Sequence, residues 1–377
     1  MLDTAKLLEI ISGRRRGLVA VSLRCLLGAL TPVYRAVVAI RNWVYDRQEL
    51  RLERDGVSSW ISRVTVPVIS VGNLTTGGTG KTPMVIWIAK LLRGRNLRVA
   101  IISRGYGAQA EPEQGGWAGN DEAMEMERRL PDVPQLQDAD RIRMANIAIE
   151  ELDSQVLLLD DGFQHRRLDR ALDIVLIDAT NPFGYERLLP RGLLREPLSS
   201  LRRADIVVIS RCDQVPHTML EEMQARVKQH NAQATIVQTR IAPQNWLQYD
   251  GQHCGLKSLD GKQVVAFCGV GNPDGFRATL ENFALELVDF CVFPDHHSYS
   301  REDLDELGTR SASSGASAIV CTHKDLVKVG CNQLAGIPVY ALLIDLEFVD
   351  GQPEFETALL GALSGSRLEL ASGGLSS

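Results

Sequence analysis

The sequence predicts an α/β fold built on a mostly parallel sheet with helices on both faces. Three observations carry that expectation. From residue 66 onward, short β-branched runs end at polar or glycine residues, at 66–71, 98–103, 156–160, 173–178, 205–210 and 235–239. Helical stretches lie between several of them, at 82–93, 139–151 and 219–230. Strands alternating with helices imply βαβ units, whose crossovers cover both faces of a parallel sheet. Finally, 377 residues at 45% hydrophobic and 23% charged suffice for about two domains with a sizeable core.

The first element is an N-terminal arm, 1–60. Residues 10–45 hold six arginines (14, 15, 16, 24, 35 and 41) and no acid, with apolar runs between them. A transmembrane helix needs about 20 mostly apolar residues, and Arg24 and Arg35 interrupt every such span. The pattern predicts an amphipathic helical arm lying in an anionic membrane surface, with guanidiniums on headgroups and Trp43 and Tyr45 at headgroup level. A helical arm packed on its own domain, or a dimer contact, is the alternative. The main domain spans 61–240. A break in periodicity at 240–262 leads to further strands at 263–268, 318–322 and 339–344, so 241–363 is expected to form a smaller α/β lobe closing over the site. Residues 364–377, rich in Ser and Gly, form a tail. Residues 105–120 make a long Gly, Pro and Gln-containing loop.

The net charge of −6 gives no global case for nucleic-acid binding. The seven cysteines are scattered without a C-x-x-C pair, which fits reduced thiols better than disulfides or a zinc site.

Residues 72–83 read Gly-Asn-Leu-Thr-Thr-Gly-Gly-Thr-Gly-Lys-Thr-Pro, after one strand and before a helix. Gly77, Gly78 and Gly80 let the backbone curl, so that Thr76 to Thr82 can surround an anion with N–H groups. The helix start adds its positive dipole end. Lys81 would reach the β and γ phosphates of ATP, and the Thr82 hydroxyl would ligate Mg²⁺. The strict phosphate-loop pattern has Gly six residues before the lysine; here that residue is Thr75. The same variant occurs in partition-type ATPases, but their extra lysine is Thr76 here. The fold is therefore expected to be of the P-loop NTPase type. A second glycine cluster, 269–275, has the wrong spacing for a dinucleotide and reads as a structural turn.

The run Val156-Leu-Leu-Leu-Asp160-Asp161 is an apolar strand ending in carboxylates. It would aim Asp160 or Asp161 at the metal beside the phosphate loop. Gln164 and His165 follow at once and suggest a specialised site.

The chain resembles the tetraacyldisaccharide 4'-kinase family. The resemblance rests on residues 71–74 and 77–83, on Ser103-Arg104-Gly105-Tyr106-Gly107, and on Asn120-Asp121-Glu122. It also rests on Asp160-Asp161-Gly162-Phe163-Gln164-His165, on residues 189–197 (Leu-Pro-Arg-Gly-Leu-Leu-Arg-Glu-Pro), and more loosely on 293–296 and 322–325. It covers nearly the whole chain. It implies MgATP-dependent phosphorylation of the 4' hydroxyl of a tetraacylated glucosamine disaccharide 1-phosphate, at the cytoplasmic face of the inner membrane. It implies an Asp121–His296 pair that activates the acceptor hydroxyl, with Asn73, Arg104, Gln164, His165, Arg195 and Glu196 near substrate. A structural Arg195–Glu196 pair fits the spacing as well. Two departures stand out. Ala123 replaces the family's proline, and His323 replaces a glutamate in Thr322-His323-Lys324-Asp325, a turn that faintly resembles a guanine-reading motif. A nucleotide-dependent switch or chaperone of the partition class shares the loop and the strand acids, and is the competing reading. It would need no acceptor-activating pair.

Overall fold

The computed structural model describes residues 4–105, 126, 127, 129–271, 273–295 and 297–365. These divide into two compact units. One is drawn from Met1–Gln109, Leu130–Arg240 and Leu346–Ser377, the other from Ala110–Arg129 and Ile241–Asp345.

In the first unit, strands β1 (Val68–Asn73), β2 (Val99–Ser103), β3 (Gln135–Gln137), β4 (Val156–Asp160), β5 (Leu172–Asp178), β6 (Ile206–Ser210) and β7 (Thr235–Leu247) are ordered β7-β6-β5-β1-β4-β2-β3. Every pairing among them is parallel. β1, β4 and β6 are buried along their whole length, as a sheet covered on both faces requires. The chain reverses direction across the sheet at β1, which has β4 on one side and β5 on the other. Crevices at the carboxyl ends of such strands are where ligands bind in open α/β sheets.

Helices α1 (Thr4–Ser12) and α2 (Leu18–Asp55) form the arm. α2 runs unbroken for 38 residues and stops at Gly56, whose left-handed φ of 73° lets its N–H cap the Leu52 carbonyl. Arg24 and Arg35 both lie within α2, which stays helical through them. α2 is long and apolar enough to cross a membrane by length and composition. The Arg24 guanidinium folds back onto the carbonyls of Ile10 and Arg15, and so caps the α1 turn while α2 continues. Leu26, Leu30, Val33, Val37 and Ile40, spaced alternately four and three apart, form one exposed apolar stripe. From Tyr34 onward α2 is also bound to the body, through Tyr34, Arg41, Asn42, Asp46 and Glu49.

Helices α3 (Lys81–Arg93), α4 (Arg141–Glu150) and α5 (His217–His230) complete the crossovers. The second unit has β8 (His253–Cys254), β9 (Gln263–Cys268), β10 (Glu286–Val292), β11 (Ala318–Thr322), β12 (Gln333–Leu334) and β13 (Ile337–Asp350). Within it β10, β9, β11 and β13 pair in that order, all parallel. Helices α6 (Pro273–Glu281), α7 (Arg301–Ser313) and α8 (His323–Val329) accompany them, and α9 (Gln352–Gly365) ends the described chain.

Two boundaries differ from the expectation. β7 does not end near residue 239 but continues through Pro243 to Leu247, because proline suits an extended backbone. Residues after Asp345 return to the first unit instead of closing the second. There Phe348 and Phe355 pack on Trp87 of α3, with ring centroids 4.8 and 5.5 Å away.

Candidate active site

The phosphate loop leaves the carboxyl end of β1. Gly77 and Gly80 hold φ of 116° and 87°, a backbone that L side chains avoid, and Gly80 caps α3. Gly77 and Gly78 are exposed, so an anion can approach the loop backbone there. The loop is braced from inside. The Asn73 amide donates to Thr79 Oγ1 (3.0 Å) and to the Gly77 carbonyl (3.4 Å). Ser210, at the end of β6, donates to the Thr79 carbonyl at 2.8 Å. Gln164 donates to the Asn73 carbonyl at 2.9 Å.

A second brace comes from residues 189–197. The Thr76 N–H donates to Leu193 O (2.8 Å), and the Arg195 N–H donates to Leu74 O (2.7 Å). The Thr76 backbone donor is therefore spent on this brace, a correction to the expectation that it faces a phosphate. Asn73 and Gln164, expected near substrate, are likewise engaged in holding the loop.

β4 is in register with β1, with Asp160 beside Val71. Asp161 follows in a left-handed conformation, φ 49°, and its N–H donates to Asp160 Oδ1 at 2.9 Å. This turn points the Asp161 carboxylate at two cations. Arg195 Nη1 reaches its oxygens at 2.8 and 3.0 Å, and Lys81 Nζ lies 3.5 Å away. Burial pushes the Asp161 carboxyl up, but Lys81 and Arg195 together outweigh it and hold it below the usual carboxylate range. Gly72 makes the close approach of β1 to the next turn possible: a Cβ there would lie 2.6 Å from the Phe163 Cβ.

His165 sits on the same turn. Burial, reinforced by Arg141, Arg170 and Arg167, lowers its pKa to about 4, so it is neutral near pH 7, and its Nε2 is buried without a partner. Arg104 follows β2 at the same sheet edge and is exposed. Glu196 lies elsewhere. It is 0% exposed and takes donors from Arg41 (2.7 Å), Asn42 (3.0 Å) and Arg203 (3.0 Å). Its carboxylate is thus committed to the arm and not directed at a substrate. Arg141, whose Nη1 donates to the Asp161 carbonyl at 3.1 Å, and Ser210 were not anticipated. Ser210 carried a signal, a polar residue ending an apolar strand; Arg141 carried none.

Asp121 and His296 lie outside the described residues. Asp325, in the second unit, is 1% exposed. It accepts from Thr322 Oγ1 (2.6 Å), Tyr299 OH (2.8 Å) and the Gly269 N–H (3.1 Å). The 322–325 turn is therefore a helix cap that ties strand ends together, with its carboxylate fully engaged internally and not presented to a base. Of the 269–275 cluster, residues 273–275 open helix α6.

A family model for tetraacyldisaccharide-1-P 4'-kinase matches residues 23–364. A tetraacyldisaccharide 4'-kinase of Anaeromyxobacter dehalogenans (strain 2CP-C) is 39% identical over 339 residues, 86% of this chain and 87% of that protein. One from Geobacter sulfurreducens is 36% identical over 362 residues, 93% of this chain and 97% of that protein. A crystal structure of LpxK from Aquifex aeolicus in complex with ATP superposes with a TM-score of 0.71 at 29% identity, covering 90% of this chain and 99% of that one.

Proposed function

The chain belongs to the tetraacyldisaccharide-1-P 4'-kinase family, and from that premise we propose how its residues carry out the transfer. It is a phosphotransferase with a hydroxyl acceptor, an ATP-dependent 4'-kinase of lipid A biosynthesis. The observation that supports the proposal best is the meeting, at one sheet edge, of a glycine loop, the α3 dipole, Lys81 and an anionic Asp161.

The triphosphate of ATP lies on the loop N–H groups and the start of α3. Asp161 holds Lys81 beside that position before nucleotide arrives, so little reorganisation remains when charge builds on the transferring phosphoryl. Thr82, Asp160 and Asp161 are hard oxygen donors in the number Mg²⁺ takes when phosphates supply the rest, and they would hold it. Bound there, Mg²⁺ would neutralise charge on the phosphate oxygens. His296 accepts the proton of the sugar 4' hydroxyl, and Asp121 orients its imidazole. The apolar stripe of α2, with its flanking arginines, seats the arm peripherally on the anionic cytoplasmic face of the inner membrane. The acyl chains of the substrate stay there while its head reaches the site.

Transfer by an Asp121→Ala, His296→Ala double variant tests the pair. Loss of lipid labelling with nucleotide binding retained supports it, and wild-type transfer refutes it.

A further inference from the structure

We propose that Tyr34 and Asn42 of α2 are positioning residues for phosphoryl transfer, so that the membrane arm is a working part of the phosphate site as well as an anchor. The proposal rests on the transfer reaction above.

The observation is an unbroken chain of short contacts. The Asn42 amide donates to Glu196 (3.0 Å) and reaches Ser200 (3.4 Å), and Arg41 donates to the other oxygen of Glu196 at 2.7 Å. About two helical turns earlier on the helix, the Tyr34 hydroxyl donates to the carbonyl of Arg195 at 2.9 Å. Three residues of α2 thus grip two consecutive residues, 195 and 196, by main chain and side chain together. The same segment, 193–196, holds the catalytic edge from its other side. The Arg195 N–H pins Leu74, the Leu193 carbonyl pins Thr76, and the Arg195 guanidinium clasps Asp161 beside Lys81.

The geometry gives the grip its force. Glu196 is wholly buried, so its carboxylate must be satisfied by the donors it has, and two of the side chains that supply them, Arg41 and Asn42, belong to α2. Arg203, a donor from the body, also stacks over the Phe163 ring at 4.4 Å, next to Gly162 and Asp161. Loss of the α2 donors leaves the carboxylate to re-seek partners within the body, and residue 196 cannot move without moving Arg195. A shift of the Arg195 fork alters the position of Asp161 and hence of Lys81. Arms that only recruit a protein to lipid need no bond to the loop that carries phosphate.

The test separates recruitment from positioning by using lipid dispersed in detergent, where recruitment is not limiting. Transfer from MgATP to tetraacyl disaccharide 1-phosphate is measured for wild type, Asn42→Leu, Tyr34→Phe and Arg41→Lys. Sedimentation with vesicles of phosphatidylethanolamine and phosphatidylglycerol is measured alongside. Asn42→Leu is expected to lower kcat about tenfold to a hundredfold, the range a small displacement of catalytic groups produces. Tyr34→Phe is expected to lower it by a smaller factor, while Arg41→Lys, which keeps the charge, stays close to wild type. KM for lipid and vesicle binding should not change. Unchanged kcat in Asn42→Leu and Tyr34→Phe, or a loss confined to lipid KM and vesicle binding, would overturn the proposal. If Asn42→Leu fails to fold, Tyr34→Phe decides, since it removes one hydroxyl and leaves Glu196 paired. Absence of transfer in the wild type would count against the kinase reading instead.

Discussion

Replacing Glu196 with Gln should destabilise the first unit by about 3–4 kcal/mol, toward the lower part of the range for breaking a buried ion pair. The magnitude follows from exposure. The Glu196 and Arg203 side chains are 0% and 8% exposed, so losing the carboxylate strands a buried guanidinium. Arg41 is 36% exposed, and water compensates much of its loss, so its arm of the pair contributes little. Glutamine also turns an N–H₂ toward donors that now meet an acceptor. Urea denaturation in detergent micelles measures the effect as a lower midpoint at unchanged slope. Adding Arg203→Met to Glu196→Gln should cost less than Arg203→Met alone, because the stranded charge is gone. The sign with pH is also fixed. Burial raises the Glu196 carboxyl, but Arg203 and Arg41 outweigh it and hold it below 4.5. Its stabilisation is present above that value and is lost as pH falls through the lowered pKa, so the Gln variant should show a flatter acid limb. A loss under about 1 kcal/mol, the scale of an exposed pair, would refute the reasoning.

Arg195→Met should lower kcat by about a hundredfold or more with ATP binding less affected, as removal of one electrostatic group at a transfer site does; steady-state kinetics checks it. Gly72→Ala should cost about 1–3 kcal/mol, because its Cβ would lie 2.6 Å from that of Phe163, and a thermal melt reads it. His165, with its pKa lowered from 6.5 to about 4, binds its proton more weakly folded than unfolded. Stability should therefore rise with pH between those values, and His165→Gln should flatten that rise in pH-dependent melts. Val33→Asp with Val37→Asp, on the exposed α2 stripe, should release the protein from anionic vesicles in sedimentation while leaving transfer in detergent unchanged.

The parts of this account legible in the sequence are those written locally. Lys81 and Thr82 follow their glycines within one loop, and Asp160 and Asp161 end one apolar strand, so strand–loop–helix order was enough to place them at one sheet edge. The parts that were not legible depend on distant partners. Glu196 reads as a substrate contact because it adjoins Arg195, yet two of its donors come from an arm more than 150 residues earlier. Asn73, Thr76 and Gln164 carry polar groups beside the phosphate loop, and only the hydrogen bonds show that those groups brace it. The folding of the Arg24 charge back onto carbonyls of Ile10 and Arg15 is likewise a contact that a sequence does not reveal. The return of residues 346–365 to the first unit hinged on Phe348 and Phe355 meeting Trp87, a long-range contact that periodicity cannot supply.

The central claim is that the loop, Lys81 and Asp161 form a site that delivers phosphoryl to a lipid sugar. The most direct measurement incubates purified protein with γ-labelled ATP, Mg²⁺ and detergent-dispersed tetraacyl disaccharide 1-phosphate, beside Lys81→Ala. Label in the 4' position of the lipid with wild type and none with Lys81→Ala is the predicted result. Release of label as free phosphate with none in the lipid would contradict the account and favour a nucleotide-driven switch.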